Sequence, residues 1–385
     1  MKWEYTTIGD HCTVTSSKRF HLSERSTTGV PFYCSKEIIQ KVNGEEISDC
    51  DFIKEESYEN VKKQYGVPES GDLLITTRGT YGIPYIYRDT DRFYFADGNL
   101  TWLKDFDGEL LVKYLYYWIL SYEGQKKMDA IAKGTAQKAV PIASIKMLQL
   151  PLPPVDVQER IAEVLFAYDN LIENNQKQIK LLEEAAQRLY KEWFVDLRFP
   201  GYEDTPIVDS VPKGWASGVI GDIAEFKRGK TITKKQAVKG EIPVVAGGKE
   251  PAYWHNKANT GNPVITVSAS GNAGFTRMYY KKVWASDCSY LDCNATENLF
   301  YVYLHLKYRQ DDIYSMQKGA CQQHVNAKEI NAMKMLIPAN DVLQSFVEII
   351  SPYFERISSL ERQIHHATQA RDRLLPKLMS GEIEV

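Results

Sequence analysis

The chain repeats itself. Aligned without a gap, Lys133–Phe194 and Lys318–Met379 share 16 identities over 62 positions, among them Lys133/Lys318, Gly134/Gly319, Gln137/Gln322, Val140/Val325, Pro153/Pro338, Asp156/Asp341, Tyr168/Tyr353, Ile179/Ile364 and Leu189/Leu374. A second set joins the starts of the two halves at an offset of 212: Trp3/Trp215, Ile8/Ile220, Gly9/Gly221, Asp10/Asp222, Lys18/Lys230 and Pro31/Pro243. One module is therefore written twice, and both copies must fold on the same frame. Because the offset falls from 212 to 185 within each copy, the first holds 27 additional residues in its middle. Ends match and middles differ, the pattern of a common frame carrying two unlike recognition surfaces, although unselected drift in surface loops gives the same pattern.

The second half of each copy reads as a long helix. "DVQE" after Pro154 and "DVLQ" after Ala339 each set Gln or Glu three residues beyond an Asp, which resembles a capping box behind a proline-marked turn. From there Tyr168, Ile172, Asn175, Ile179, Leu182, Ala186, Leu189 and Trp193 alternate spacings of four and three, a heptad seam. Tyr353, Ile357, Leu360, Ile364, Ala367, Arg371, Leu374 and Leu378 do the same in the second copy, and each seam has one polar interruption, Asn175 or Arg371. Each stripe is too narrow for a domain core, so the expectation is that the helices pair as an antiparallel coiled coil; packing of each on its own domain is the plainer alternative.

Residues 1–150 and 212–338 read as short strands and turns, as in "GDLLITTRGTYG" and "NPVITVSASGNAG", rich in β-branched and aromatic residues bounded by Gly, Asp and Asn. A single helical stretch closes each, "ELLVKYLYYWILSYEGQKKM" and "NLFYVYLHLKYRQDDIYSM". The expected fold is α+β, a pseudo-twofold repeat of two similar domains separated by two long helices. Its segments are a first recognition domain at 1–150, a helical spacer at 151–198, a second recognition domain at 199–338 with a linker at 199–211, and a second spacer at 339–385.

Charge divides along the same lines. The chain carries −3 overall, yet residues 212–338 hold 17 Lys and Arg against 10 Asp and Glu, while residues 155–211 hold 6 against 12. A local excess of +7 suits an anionic partner, although a solvated surface gives the same count. No run of apolar residues approaches the roughly 18–20 of a membrane span, and "MKWEYTTIGDHC" lacks the apolar core of a secretory leader, so a cytoplasmic protein is expected. The six cysteines have no CxxC spacing, which points to free thiols rather than a disulfide framework or zinc ribbon.

Catalytic motifs are missing from the sequence. "FKRGKT" at 226–231 resembles the end of a phosphate-binding loop, but Ala224 stands where its first glycine belongs. There is no glycine-rich turn suited to S-adenosylmethionine, no Asn-Pro-Pro-aromatic tetrad, no GxSxG and no HExxH. His365 and His366 lie on a predicted helix and read as surface residues rather than metal ligands. A twofold frame that holds two unlike modules apart suits an elongated, two-part ligand. B-DNA is one: paired recognition faces must sit about 34–36 Å apart, and the 25 rises from Tyr168 to Trp193 span roughly 38 Å.

With the twofold arrangement, the helix entries "LPPVDVQERIAEVLFAYDNLIENNQKQIKLLEE" and "IPANDVLQSFVEIISPYFERISSLERQI", the turns "KGTAQKAV" and "KGACQQHV", and the ending "RLLPKLMSGEIEV", the chain resembles the specificity subunits of type I restriction-modification enzymes. The resemblance covers nearly the whole sequence. It implies a non-catalytic chain whose two target-recognition domains each read half of a bipartite, asymmetric site in double-stranded DNA. The helices then act as a spacer that docks two modification (methyltransferase) subunits, with restriction/translocase subunits joining them. S-adenosylmethionine, ATP and magnesium are expected on those partners, none on this chain. One departure is Arg371, which replaces an apolar seam residue.

Arg, Gln and Asn suit bidentate contact with purine edges, whereas Lys, Ser and Thr more often hold phosphates. Loops rich in these types nominate Lys18, Arg19, Thr77, Arg78, Thr80, Tyr81, Lys133, Thr135 and Gln137 in the first module. In the second they nominate Lys227, Arg228, Lys230, Ser268, Ser270, Asn272, Lys318, Gln322, Gln323 and His324. Two other classes stay open at this stage: a structural adaptor that does not bind DNA, and an enzyme whose site is assembled from dispersed residues.

Overall fold

The computed structural model describes residues 3–134, 138–317 and 324–385. It separates into two compact units, Met1–Asn174 with Gln363–Val385, and Asn175–Arg362. In the first unit an antiparallel sheet has the order Thr13–Thr15, Leu100–Lys104, Leu73–Thr76, Pro84–Ile86. Its strand Leu73–Thr76 is buried throughout, and the alternation of a strand divides its side chains between two cores. Leu73 and Ile75 join Tyr114, Leu115 and Trp118 of the helix Val112–Leu120. Leu74 turns the other way, among Tyr85, Phe93, Phe95 and Trp102. A second sheet lies in the order Arg25–Ser26, Asp51–Ile53, Val30–Tyr33, Tyr94–Phe95, with its last pair parallel.

The second unit repeats this plan. Its sheet runs Lys227–Arg228, Cys288–Asp292, Val264–Ser268, Thr276–Tyr279. The central strand again feeds two cores, Ile265 and Val267 in one and Val264 in the other. The companion sheet, Tyr253–His255, Ile242–Val245, Trp284–Ala285, keeps the parallel pair. Val30–Tyr33 matches Ile242–Val245 at the offset of 212, whereas Thr76 matches Ser268 at 192. Of the 27 additional residues in the first copy, 20 therefore lie between these strands. There the first module carries helices Ser35–Val42 and Glu55–Tyr65, for which the second has no counterpart among the described residues.

Two expectations at helix ends are corrected. Each module's closing helical stretch is two helices, not one: Val112–Leu120 then Tyr122–Ile131, and Leu299–Tyr308 then Gln310–Ser315. In the first module the break falls at Ser121, whose hydroxyl accepts from the Gly124 amide at 3.1 Å and donates to the Trp118 carbonyl at 2.6 Å, capping the new helix. The long helices run Val155–Phe194 and Asn340–Met379, 40 residues each and 185 apart at both ends. Asp156 and Asp341 thus lie inside the first turn rather than at the cap. A carboxylate is still favourable there beside the unpaired amides, and Asp156 pairs with Arg160 at 3.0 Å.

In each unit a part of one long helix meets the opposite part of the other, so the pair is antiparallel. In the first, Ile161 and Leu165 share a core with Leu378 and Met379. In the second, Ala186, Ile179, Leu182 and Leu189 pack in a core with Phe346, Phe354 and Ile357, and Arg356 donates to the Gln178 side chain at 3.2 Å. Asn175, Ala186, Ile357, Leu360 and Ala367 are buried, and Tyr168, Ile172, Tyr353, Ile364 and Leu374 are half-buried. Phe354, 1% exposed, is a deeper seam residue than the expected Tyr353 beside it. Arg371 keeps its seam place because Asp169 accepts its Nη1 at 2.6 Å, and the same carboxylate accepts the Tyr117 hydroxyl at 2.6 Å. Among the described residues no helix is long and apolar enough to cross a membrane. Cys12, Cys34, Cys50, Cys288 and Cys293 are free thiols.

Candidate nucleic-acid interface

In both modules the chain leaves the buried central strand into a tight hairpin tip, "TTRGTYG" at 76–82 and "SASGNAG" at 268–274. Side chains differ but the backbone path is the same. Gly79 and Gly82 have φ of 74° and 79°, and Gly271 and Gly274 have 65° and 84°, values that favour glycine strongly. The Gly82 amide donates to the Thr76 carbonyl at 2.8 Å, and the Gly274 amide to the Ser268 carbonyl at 2.8 Å. The carbonyl of each closing glycine accepts a glutamine Nε2 at 2.8 Å, from Gln125 in the first module and Gln310 in the second.

The residue six positions after the glycine of each "KG" docks on this tip. The Val140 amide donates to the Thr77 carbonyl at 2.8 Å and the Val325 amide to the Ala269 carbonyl at 3.1 Å. In the first module Arg78 also bridges to Ala139, and Lys133 exchanges both backbone hydrogen bonds with Ala139 at 2.8 Å. In the first module two loops that lie some 55 residues apart in sequence thereby become one surface edge, and in the second the Val325 bond ties the equivalent position to its tip. Thr135, Gln137, Lys318, Gln322 and Gln323, which the sequence nominated, lie outside the described residues.

Among the remaining nominees, Arg78, Thr80, Lys133, Asn272 and His324 are exposed on or beside these tips. Thr77 and Ser268, each 3% exposed, point into the protein and cannot offer their hydroxyls to a ligand. Coverage of both faces accounts for this: Leu73–Thr76 and Val264–Ser268 are buried at every position, so neither side of the pleat reaches solvent before the tip turns. Tyr81 is held by its hydroxyl on Asp129 at 2.8 Å, and Ser270 donates to Asp287.

Basic side chains come from the loop after the strand Thr13–Thr15 in the first module and from the strand Lys227–Arg228 and the loop after it in the second. Lys18, Arg19, Lys227, Arg228 and Lys230 are all exposed. Arg19 reaches Asp97 at 2.7 Å, and the Lys18 ammonium lies 5.1 Å from the centroid of the Tyr65 ring on the helix peculiar to the first module. An aromatic residue from the equivalent short strand fastens each loop: the Lys18 amide donates to the Tyr94 hydroxyl at 2.7 Å, and Trp284 Nε1 donates to the Lys230 carbonyl at 2.7 Å. The amides of Gly229 and Lys230 donate to the Cys288 and Ala285 carbonyls, so "FKRGKT" is used as sheet rather than as a phosphate cradle.

Sequence reasoning missed Tyr94, Trp284, Gln125 and Gln310. The glutamines were within reach, because the repeat continues at its offset of 185 eight residues ahead of Lys133/Lys318 and meets an identity at Gln125/Gln310. The aromatic pair left no such signal, since Tyr and Trp differ and their offset of 190 belongs to neither aligned segment.

The sequence model described as the type I restriction modification DNA specificity domain matches residues 1–184 and 212–368. The chain is 26% identical over 349 residues to the type I restriction enzyme MjaIX specificity subunit of Methanocaldococcus jannaschii, covering 82% of this chain and 78% of that protein. It is 20% identical to the type I restriction enzyme HindI specificity subunit of Haemophilus influenzae, over 82% of this chain and 87% of that protein. The crystal structure of a type I restriction-modification system S subunit from M. genitalium aligns with 98% of this chain and 96% of its own, with a TM-score of 0.63 at 18% identity, which shows a shared fold.

Proposed function

Because the chain belongs to the family of type I restriction-modification DNA specificity subunits, we propose that it supplies the address of such a complex, each module reading one half of a bipartite, asymmetric site in duplex DNA. The observation that carries this reading is the pair of hairpin tips: one backbone frame, built twice, presents Arg78 and Thr80 in one copy and Ser270 and Asn272 in the other. Base-edge specificity is a matter of side-chain type on a fixed frame, so the two modules read different sequences. The exposed Lys18, Lys133, Lys227, Arg228 and Lys230 are assigned to phosphate contacts, which position without specifying. Thr135, Gln137, Lys318, Gln322, Gln323 and His324 are assigned to the same role from the recurrence of the "KG" turn in the sequence.

In this reading the long helices fix the gap between half-sites and dock two modification subunits, which restriction/translocase subunits join. Methyl transfer from S-adenosylmethionine and ATP- and magnesium-dependent cleavage belong to those partners, and the purified chain alone neither methylates nor cuts DNA. The test is to express the chain with its modification subunits in a methylation-free host and map methylated adenines by single-molecule sequencing. A bipartite motif with a fixed gap, dependent on this chain, is expected. A complex that assembles yet shows no salt-dependent affinity for duplex DNA would favour a structural adaptor instead.

A further inference from the structure

We propose that Gln125 and Gln310 are positioning residues for base reading, each fixing the attitude of one hairpin tip and so the specificity of one half-site. This rests on the assignment of the tips to DNA. Residues 78–81 and 270–273 lie between two anchors that recur in both modules. One is the backbone bond from Val140 or Val325; the other is the glutamine Nε2 on the carbonyl of the closing glycine, at 2.8 Å in both modules. Beside them are further bonds that do not recur: the Gly79 amide donates to the Lys138 carbonyl and the Tyr81 hydroxyl to Asp129 in the first, and the Ala273 carbonyl accepts Gln317 Nε2 at 2.7 Å, the Asn272 amide donates to the Gly247 carbonyl and Ser270 donates to Asp287 in the second. Nothing between the anchors is shared except Gly79/Gly271, yet the anchors themselves recur.

The remaining bonds of the two glutamines differ. Gln125 Nε2 also donates to the Ile119 carbonyl at 2.8 Å, whereas Gln310 Oε1 accepts the Thr276 amide at 3.3 Å. If these side chains served only to hold their own helices, those local bonds would be the common ones. What the copies have in common instead is the reach to the tip. The position admits little else: a Cβ at Gly82 would stand 3.1 Å from Gln125 Oε1, and one at Gly274 would stand 3.1 Å from Ile313 Cγ2. With the clamp gone, the peptide after the glycine keeps its N–H bond, from Ile83 to Thr76 Oγ1 or from Phe275 to the Asn272 carbonyl, each at 3.0 Å, but its carbonyl loses its shortest bond on a backbone already at positive φ, and the tip loses the alignment that bidentate base contacts require.

The experiment uses the full chain assembled with its modification subunits, carrying Gln125→Met or Gln310→Met, which keep side-chain length but remove the donor. Methylation is measured on DNA libraries in which each half-site base is varied singly. Gln125→Met should lower discrimination at the half-site read by the first module about tenfold or more, the scale of one well-placed base contact, and leave the other half-site strict. Gln310→Met should do the reverse. A general structural defect would reduce methylation of all sites together, so equal loss at both half-sites overturns the proposal, as does unchanged discrimination at both. Gln125→Glu and Gln310→Glu, which keep the shape and lose the donor, should reproduce the pattern if a methionine variant fails to assemble, and retention of strict reading in these also overturns it. The unsubstituted complex separates the two ideas: if it methylates no bipartite site, the functional reading has failed, whereas a strict wild type with strict variants sinks only the clamp.

Discussion

Gln158 and Leu343 occupy the same place in the two long helices, and so do Asp169 and Phe354, and Ala186 and Arg371, yet the two units treat these places in opposite ways. In the first unit they are polar and locked. Gln158, fully buried, donates to the Glu109 and Pro153 carbonyls and accepts the Leu111 amide, and Asp169 joins Arg371 to Tyr117. In the second they are apolar: Leu343, Phe354 and Ala186 lie in one core, with Phe354 stacked on Phe300 at 4.3 Å and 7°. The lesson is that the frame of a duplicated protein resides in backbone path and spacing, while the chemistry of any one layer is free to change. Polar layers cost desolvation but accept few partners, so the difference also makes the two halves non-interchangeable.

The largest effect is expected from altering what the two halves share. Deleting one heptad from each helix, residues 175–181 and 360–366, keeps the seam in phase and shortens it by about 10 Å, equivalent to roughly three base pairs. The half-sites should keep their sequences while the preferred gap shortens, or recognition should fail because the half-sites also rotate by about 100° on DNA of about 10.5 pairs per turn. An assembled, active complex that still demands the original gap would show that the helices are not the ruler. Next in size is the exchange of residues 212–338 for the equivalent module of a relative. One half-site of the methylation motif should change and the other stay, and simultaneous change of both would contradict independent modules.

A finer test transplants one layer. Asp169→Ala should destabilise the protein by about 1–3 kcal/mol, less than a fully buried pair because Arg371 and Asp169 remain 29% and 25% exposed. The triple change Asp169→Phe, Arg371→Ala and Tyr117→Val installs the residues that the second unit has at these places, Phe354, Ala186 and Val302. It should recover most of the loss in thermal or denaturant unfolding, and a triple variant weaker than Asp169→Ala would mean that the layers are not equivalent.

The duplication, the α+β class and the helix seams were legible because they depend on periodicity and on repeated residue types. Ile357, Leu360 and Ala367 are buried where heptad spacing puts them. The polar exception was legible only as an anomaly: Arg371 can be seen to break the seam, but Asp169, 202 residues earlier, becomes its partner only once the helices pair. The hairpin tips were visible as glycine-punctuated turns, and the bonds that Val140 and Val325 make to them were not, because backbone hydrogen bonds between distant loops leave no mark on residue type. Thr77 and Ser268 were misread for a related reason. A threonine or serine at the end of a strand looks available until the fold covers both faces of that strand.

The smallest effect expected runs the comparison the other way, at a place where the second unit is the polar one. His305, 5% exposed, meets the Tyr190 hydroxyl through Nδ1 at 2.8 Å, and the matching residues of the first unit are Leu120 and Leu375. Burial first, and the Arg309 guanidinium second, push the imidazole down to about 4. The folded state therefore keeps His305 neutral while the unfolded chain binds a proton near the ordinary value of about 6.5. A group depressed in this way contributes its full stability above about pH 6.5 and loses it as the pH falls toward 4, because only the unfolded state takes up the proton in that window. Between pH 7 and 5.5 the loss should be about 1 kcal/mol. Tyr190→Leu with His305→Leu, which copies the first unit, should remove that slope from the stability of the chain measured by denaturant unfolding across this range. A slope that persists in the double variant would assign the acid sensitivity to other groups and leave this layer a matter of packing alone.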